Sequence, residues 1–476
     1  MRVPLSTRHR HAKLLALVVL GGCSASDTEP IGPQAAPMLG EPPNVIWIMA
    51  DDLGWMDLAC QGNTRIETPN LDRLAAEGMR FTDAYSAAPV CSPTRAAMMT
   101  GQSPARLGLT NHLPENASYA PPTSPIAAAT MLDHLPLEQV TIAERLREAG
   151  YATAFMGKWH LQRQLASGGR GDRRFVPERQ GFELNLGGCA FGGPPTFFDP
   201  YGIHNLPSRR PGEYLPYRLA DEAISYVREH RDRPFFLCLW NYAVHWPTQA
   251  PGELIAKYTE REGPGLLDPV YAAMVEALDR AVGRLLAELD ASGLAERTLV
   301  VFTSDNGGWL EVADNRPLRG GKGFLFEGGI RVPLIVRWPG VVEAGSVCST
   351  PVVSMDHFPT LLEVVGLAPD SAVALDGESL IPLLRNTGEL GRDALFFHYP
   401  NFAWHGENRL GGAVREGRFK LIERYADGSL ELYDLENDPG ETTDLGAERP
   451  ELAARLQGEL GRWLARTDAR MPRRRE

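Results

Sequence analysis

No stretch of this chain is apolar over the roughly 18 residues that a membrane-spanning helix needs, so none of it is expected to cross a bilayer. Cysteine is scarce, at six in 476 residues, and the spacings match no metal-binding pattern. A core of this size needs no disulfide framework. Basic residues are in deficit, with 48 Lys and Arg against 60 Asp and Glu, a net charge of -12. That balance argues against sequence-independent nucleic-acid binding, which depends on neutralising phosphates, and an anionic substrate must therefore be held by a local cationic pocket. Compositional bias is missing too: 43% hydrophobic and 23% charged residues exclude disorder, collagen and coiled coil. What remains is an ordinary globular chain, loop-rich with 48 Gly and 38 Pro, and long enough for about three domains or one large α/β domain with an appendage.

The N-terminus reads as an address. Arg2, Arg8, Arg10 and Lys13 precede a short apolar run, Leu14 to Leu20, and then Gly21, Gly22 and Cys23. Leu-Gly-Gly-Cys resembles the lipobox of bacterial lipoproteins, which implies a signal peptide over 1–22, cleavage before Cys23 and a lipid on that cysteine. The alternative is an ordinary secretory signal with a chance cysteine. Either reading exports the protein from a bacterial cell, and the first anchors it to a membrane facing the periplasm or cell surface. Residues 23–43, small and Pro-rich, suit a flexible tether. The other cysteines, at 60, 91, 189, 238 and 348, are odd in number, and Cys238 in Phe-Phe-Leu-Cys-Leu-Trp reads as a buried thiol.

From Asn44 onward, apolar runs alternate with amphipathic segments, the pattern of an α/β fold: a large, mostly parallel sheet sandwiched by helices. Strands are predicted over 44–49, 152–156, 235–240, 298–303 and 330–336. Helices are predicted after Thr68-Pro69, after the Thr141/Glu144 capping box, near 219–230, after Asp268-Pro269 and around 355–365. In such sheets ligands sit beyond the carboxyl ends of the strands. Those ends carry Asp51 and Asp52, then Lys158 and His160, then His245, then Asp305 and Asn306. Singly, each has an ordinary explanation as a turn, cap or surface residue; convergence of four strand ends on this set does not. Three acids and an amide oxygen form a hard-oxygen set that suits Ca²⁺, with Mg²⁺ the alternative, and not zinc. A divalent ion there would act as a Lewis acid beside a nucleophile.

The nucleophile should lie on Pro89 to Gly101, where Pro93 and the run Arg95 to Met99 read as the start of a helix with Cys91 just before it. A helix N-terminus favours a tetrahedral anion. Cys91-Ser-Pro-Thr-Arg95, followed by Ala-Ala-Met-Met-Thr-Gly-Gln, resembles the signature of the formylglycine-dependent type I sulfatases, members of the alkaline phosphatase superfamily. The similarity runs from Asn44 to about Asp444. It implies that a maturation enzyme oxidises Cys91 to formylglycine, whose hydrated aldehyde is the nucleophile. Asp51, Asp52, Asp305, Asn306 and the modified Cys91 match the family's metal ligands. Arg95, Lys158, His160, His245 and Lys322, the last in Leu-Arg-Gly-Gly-Lys-Gly, match its sulfate-binding and proton-transfer groups.

The implied activity is hydrolysis of a sulfate ester, on a sulfated carbohydrate or an aryl sulfate. Lys158, Lys322 and the metal would stabilise the sulfuryl oxygens, Arg95 would fix the hydrated aldehyde, and His245 and His160 would serve as acid and base in an order the sequence leaves open. The rivals are phosphonate or phosphodiester hydrolysis and, with no catalysis, binding of sulfated polymers. Loops 112–140, 162–215 and 400–411 are expected at the entrance, with Trp404 and His405 placed either to meet a sugar or to pack the rim. The catalytic domain is expected over 44–390. Residues 391–476 are expected to form a C-terminal subdomain: strands over 394–399, 418–425 and 429–435, the last two a hairpin around Asp427-Gly428, a helix over about 448–465 and a solvated tail at Arg473 to Arg475.

Overall fold

The computed structural model describes residues 42–165, 171–261 and 263–475. The expected signal, Cys23 and most of the tether lie outside them. Eight strands form the main sheet: β1 (Asn44–Ala50), β2 (Met79–Phe81), β3 (Ala152–Gly157), β4 (Leu184–Leu186), β5 (Phe235–Trp240), β6 (Thr298–Ser304), β7 (Leu334–Arg337) and β8 (Ser346–Cys348). Their order is β8-β2-β7-β6-β1-β5-β3-β4. The five strands from β6 to β4 are mutually parallel, while β7 runs antiparallel to both its neighbours. The strand expected over 330–336 is shorter and later, because Glu327–Ile330 forms a helical turn. The three-residue strands β2, β4 and β8 are too short for an apolar period to reveal.

The near-continuous apolar run of β1 follows from burial on both faces. Ile46 and Ile48 face one core, packed by α1 (Pro69–Ala76), α4 (Leu215–Glu229) and α5 (Pro269–Ala291). Val45, Trp47 and Met49 face the other, packed by α2 (Cys91–Thr100), α3 (Ile142–Glu148) and α6 (His357–Val364). The helix starts follow their caps. Asp268 accepts from the amides of Val270 and Tyr271, and Thr141 and Glu144 close a reciprocal box.

Near the C-terminus a separate antiparallel sheet runs β9 (Ala394–Tyr399), β10 (Gly411–Glu416), β11 (Phe419–Arg424) and β12 (Leu430–Asp434). Val414, Leu421 and Leu432 on one face take Leu456, Leu460 and Trp463 of α7 (Pro450–Arg466). Ala413, Ile422 and Tyr433 on the other face pack with Leu325, Phe326 and Ile330, just beyond Lys322. The terminal arginines are not a free tail: Arg473–Arg474 pair with Ile126–Ala127, although their side chains stay exposed.

A buried ion cluster pins this sheet to the main body. Lys420 on β11 is fully buried, 2.9 Å from Glu327 and 2.9 Å from Glu441. Removing the ammonium would leave two carboxylates facing each other out of water. Lys420→Met is therefore expected to cost about 3–5 kcal/mol, read as a lower midpoint in urea unfolding; an unchanged midpoint would show that the cluster does not hold the sheet.

Candidate active site

The carboxyl ends of β1, β3, β5 and β6 meet the N-terminus of α2. Asp51 and Asp52 leave β1, with the Asp51 amide bonded to the Ala243 carbonyl and the Asp52 amide to Asp305 Oδ1. Gly157 closes β3 against β5: its φ is 105°, and a Cβ there would sit 2.0 Å from the Trp240 carbonyl oxygen, so no other residue fits. Lys158 follows, its amide 2.7 Å from that same oxygen. Asp52 and His160 both hold left-handed backbone, at φ 62° and 56°. Such strain costs on the order of 1–3 kcal/mol per residue and persists where the surroundings fix it, as at a site. Cys91 is the first residue of α2 rather than the residue before it, because Val90 takes the cap position.

The ten residues expected from the sequence come together here, and all but the partly exposed His245 are buried. Three cations face three carboxylates. Lys158 Nζ lies 2.8 and 2.7 Å from the two oxygens of Asp51. Arg95 Nε and Nη2 lie 2.9 and 2.7 Å from Asp305 Oδ2, and its Nη1 donates to the Lys158 carbonyl. Lys322 Nζ lies 2.7 Å from Asp52 Oδ2. Asn306 Nδ2 donates to Asp52 Oδ1 at 2.8 Å. Cys91 Sγ sits 3.6 Å from Asp51 Oδ1 and 3.9 Å from Asp52 Oδ1.

Burial sets the protonation pattern, and the pairs then modify it. Burial pushes the Asp51 carboxyl above the usual range despite Lys158. It opposes ionisation of Asp52 and Asp305 as well, but Lys322 and His245 around the first, and Arg95 and Lys158 around the second, hold both below it. The Cys91 thiol is pushed up by burial, so it is no ready thiolate. Burial, then Lys322, lowers His245 to about 3. Its Nδ1 donates to the Trp246 carbonyl at 2.7 Å, leaving Nε2 3.6 Å from Asp52 Oδ2. Burial and Lys158 also lower His160; its Nε2 donates to the Leu113 carbonyl, and its buried Nδ1 has no partner among the described residues.

One atom tests the fit to a metal. Asn306 Oδ1 is buried with no hydrogen-bond donor among the described residues, an acceptor left open beside carboxylates. Ligand atoms of Asp51, Asp52, Cys91 and His245 all lie within 4.8 Å of one another. Asp305 adds its carboxylate from the Asp52 side, with Oδ1 on the Asp52 amide and Oδ2 on Arg95. A mainly oxygen set with an orphaned amide oxygen fits a hard divalent cation.

Above this centre opens a cavity of about 520 Å³. Each expected entrance loop contributes: His112, Leu113, Pro114 and Tyr119 from the first, Gln164, Gly192 and Gly193 from the second, Trp404 from the third. His405 does not line it and instead stacks on Phe324 at 4.2 Å. Sequence reasoning missed Trp246 and Trp309, and it placed His112 only as part of the first entrance loop. Trp246 directly follows His245, and that adjacency was the one available signal.

The Sulfatase family model matches residues 43–367, and the N-sulphoglucosamine sulphohydrolase C-terminal model matches residues 321–467. A protein named sulfatase from Formosa agariphila is 34% identical, with 90% of this chain and 89% of the relative covered. Arylsulfatase A of Homo sapiens is 35% identical over 86% of this chain and 84% of its own. The crystal structure of Ps i-CgsB superimposes with a TM-score of 0.76 at 31% identity, covering 89% of this chain and 93% of that one.

Proposed function

The chain belongs to the sulfatase family, and from that premise we propose that it hydrolyses a sulfate ester by S–O cleavage, using formylglycine at position 91 and a divalent cation. The observation that carries this reading is the placement of Cys91 on the first turn of α2, between the Asp51 and Asp52 carboxylates and within one pocket with Lys322, His160 and His245. The thiol stands where the hydrated aldehyde would stand. That hydrate would supply two hydroxyls on one carbon, one to attack sulfur and one to expel the sulfate. Calcium, or magnesium in its place, held by Asp51, Asp52, Asp305, Asn306 and residue 91, would supply Lewis-acid polarisation.

The remaining chemistry falls to side chains of known position. Lys158 and Lys322 bring preorganised ammonium groups to the equatorial oxygens of the transferring sulfuryl group. Arg95, locked by Asp305 and the Lys158 carbonyl, fixes the start of α2 and the residue on it. With Nε2 of His160 committed to Leu113, the lone pair at Nδ1 is the one free to take a proton, which suits the base role. His245 keeps its neutral-state proton on Nδ1, so it would donate at Nε2 only as imidazolium; Asp52 favours that form, but burial and Lys322 outweigh it in the free site. A sulfated carbohydrate or an aryl sulfate would be the substrate, and a formylglycine-generating enzyme the maturation partner.

Initial rates on matched aryl sulfate, phosphate diester and phosphonate ester test the reading. Sulfate release should exceed the others; a faster phosphonate or phosphodiester reaction would overturn it. Lys322→Ala should keep multiple turnover at a rate lower by roughly 10² to 10³, the scale for loss of one preorganised donor; an unchanged kcat would remove Lys322 from the transition state. We further propose export with a lipid anchor at Cys23. Cys23→Ser should move the protein from the membrane to the soluble fraction, and unchanged membrane partition would refute the anchor.

A further inference from the structure

Beyond the reactive centre, the described residues of the cavity wall carry no charge. Among the described residues that line it, the only Asp, Glu, Lys or Arg are Asp52 and Lys322, and these pair with each other at 2.7 Å. The three cations of the centre each face a carboxylate there, at 2.7 Å, so the positive charge is gathered at the reacting group and not along the wall. A second sulfate or a carboxylate on the ring bearing the scissile ester would enter this wall without a partner, and an unpaired desolvated charge is strongly disfavoured.

The wall offers ring faces instead. Trp404 lies under the Lys322 ammonium, 5.3 Å from its ring centroid, so a ring attached to the bound sulfate passes beside it. Trp246, 60% exposed although it follows a site histidine, presents an unburied indole. Between them the wall is bare backbone: a Cβ on Gly192 would come within 2.9 Å of His160 Nε2, and one on Gly193 within 2.7 Å of His245 Nδ1. Side chains there would crowd the two histidines that flank the scissile bond.

His112 is one of the polar side chains of this wall that no partner among the described residues occupies. His112 touches Tyr119 and Trp404 ring to ring, at 5.8 and 6.0 Å between centroids, and makes no hydrogen bond among the described residues. Burial, with Lys322 and Lys158 nearby, lowers it to about 4, so at neutral pH it offers one donor and one acceptor and no charge. That pair of functions matches a hydroxyl. An aryl ring without hydroxyls would leave it unsatisfied.

We infer that the leaving group is a single uncharged, hydroxylated ring, so that the substrate is a sugar unit carrying the scissile sulfate and no other charge, stacked by Trp404 and Trp246 and hydrogen-bonded through His112, and that a second anionic group on that ring is rejected. This rests on the sulfatase reading for the orientation of the ester, but its test does not need turnover. Calorimetric binding to the Cys91→Ala protein, loaded with calcium, would compare galactose 6-sulfate, galactose 2,6-disulfate and 4-nitrophenyl sulfate. The monosulfated sugar should bind on the order of 10² more tightly than the disulfated one, the scale of an unpaired buried polar or charged group. His112→Ala should weaken the sugar about tenfold, the effect of one hydrogen bond into a buried site. It should leave 4-nitrophenyl sulfate unchanged, and His112→Asn should recover part of the loss. Equal or tighter binding of the disulfate would overturn the inference, as would a His112→Ala loss shared equally by the aryl sulfate. Failure of the unmutated enzyme to release sulfate from any of the three would count against the sulfatase reading, and the binding order would still decide the sugar class.

Discussion

Cys91→Ser protein should release at most about one equivalent of product per enzyme and accumulate as a sulfated form. The serine hydroxyl would occupy the position of the Cys91 sulfur, at the start of α2 between Asp51 and Asp52, so attack on sulfur remains open to it. What it lacks is a second hydroxyl on the same carbon. Its sulfate ester could clear only by attack of water on sulfur, a step the centre is not built to direct: Lys158, Lys322 and Arg95 are paired to carboxylates, and the open ring nitrogens of His160 and His245 serve the two hydroxyls of the hydrate and the leaving oxygen. The measurement is product per enzyme against time, together with intact protein mass. Steady turnover by the serine protein near the unmutated rate would show that the second hydroxyl does not drive release.

Replacing Asp51 by Ala should abolish turnover, and chelation of the unmutated enzyme should do so reversibly. Asp51 touches both Lys158 and the Cys91 sulfur, and burial raises its carboxyl, a cost that a cation would relieve by favouring the ionised form. Asn306 Oδ1 and the Asp52 and Asp305 carboxylates complete a set of hard oxygens. After chelation, calcium or magnesium should restore activity. Restoration by zinc alone would contradict the hard-oxygen argument. Asp51→Ala also strips the buried Lys158 ammonium of its carboxylate, so a lower unfolding midpoint is expected; reversible chelation of the unmutated enzyme separates loss of the metal from loss of the structure.

Most of the candidate site was legible in the sequence because its residues, apart from Lys322, which only the family resemblance supplied, follow an apolar strand or lie at the start of a helix, and strands such as β1 and β5 announce themselves by unbroken burial. The same logic failed where no periodicity exists. The loop beginning at His112 is expected at the entrance, but nothing local marks which of its residues face the pocket. Trp404 and His405 looked equivalent as neighbours, yet one lines the cavity and the other stacks on Phe324, a distinction made by loop packing alone. The apolar run 330–336 reads as extended throughout, whereas Ile330 closes a helical turn whose first residue, Glu327, is held by Lys420 and donates its amide to the Glu441 carboxylate, so the strand begins only at Leu334. The terminal arginines read as solvated from charge, whereas backbone pairing with Ile126–Ala127 is blind to side-chain identity.

The most direct test is the mass of the peptide spanning residue 91, taken from protein made together with the maturation enzyme and assayed for sulfate release in the same preparation. The account predicts an aldehyde or its hydrate in place of the Cys91 thiol, in a fraction that tracks activity from batch to batch. A fully active preparation whose residue 91 is entirely unmodified cysteine would contradict it.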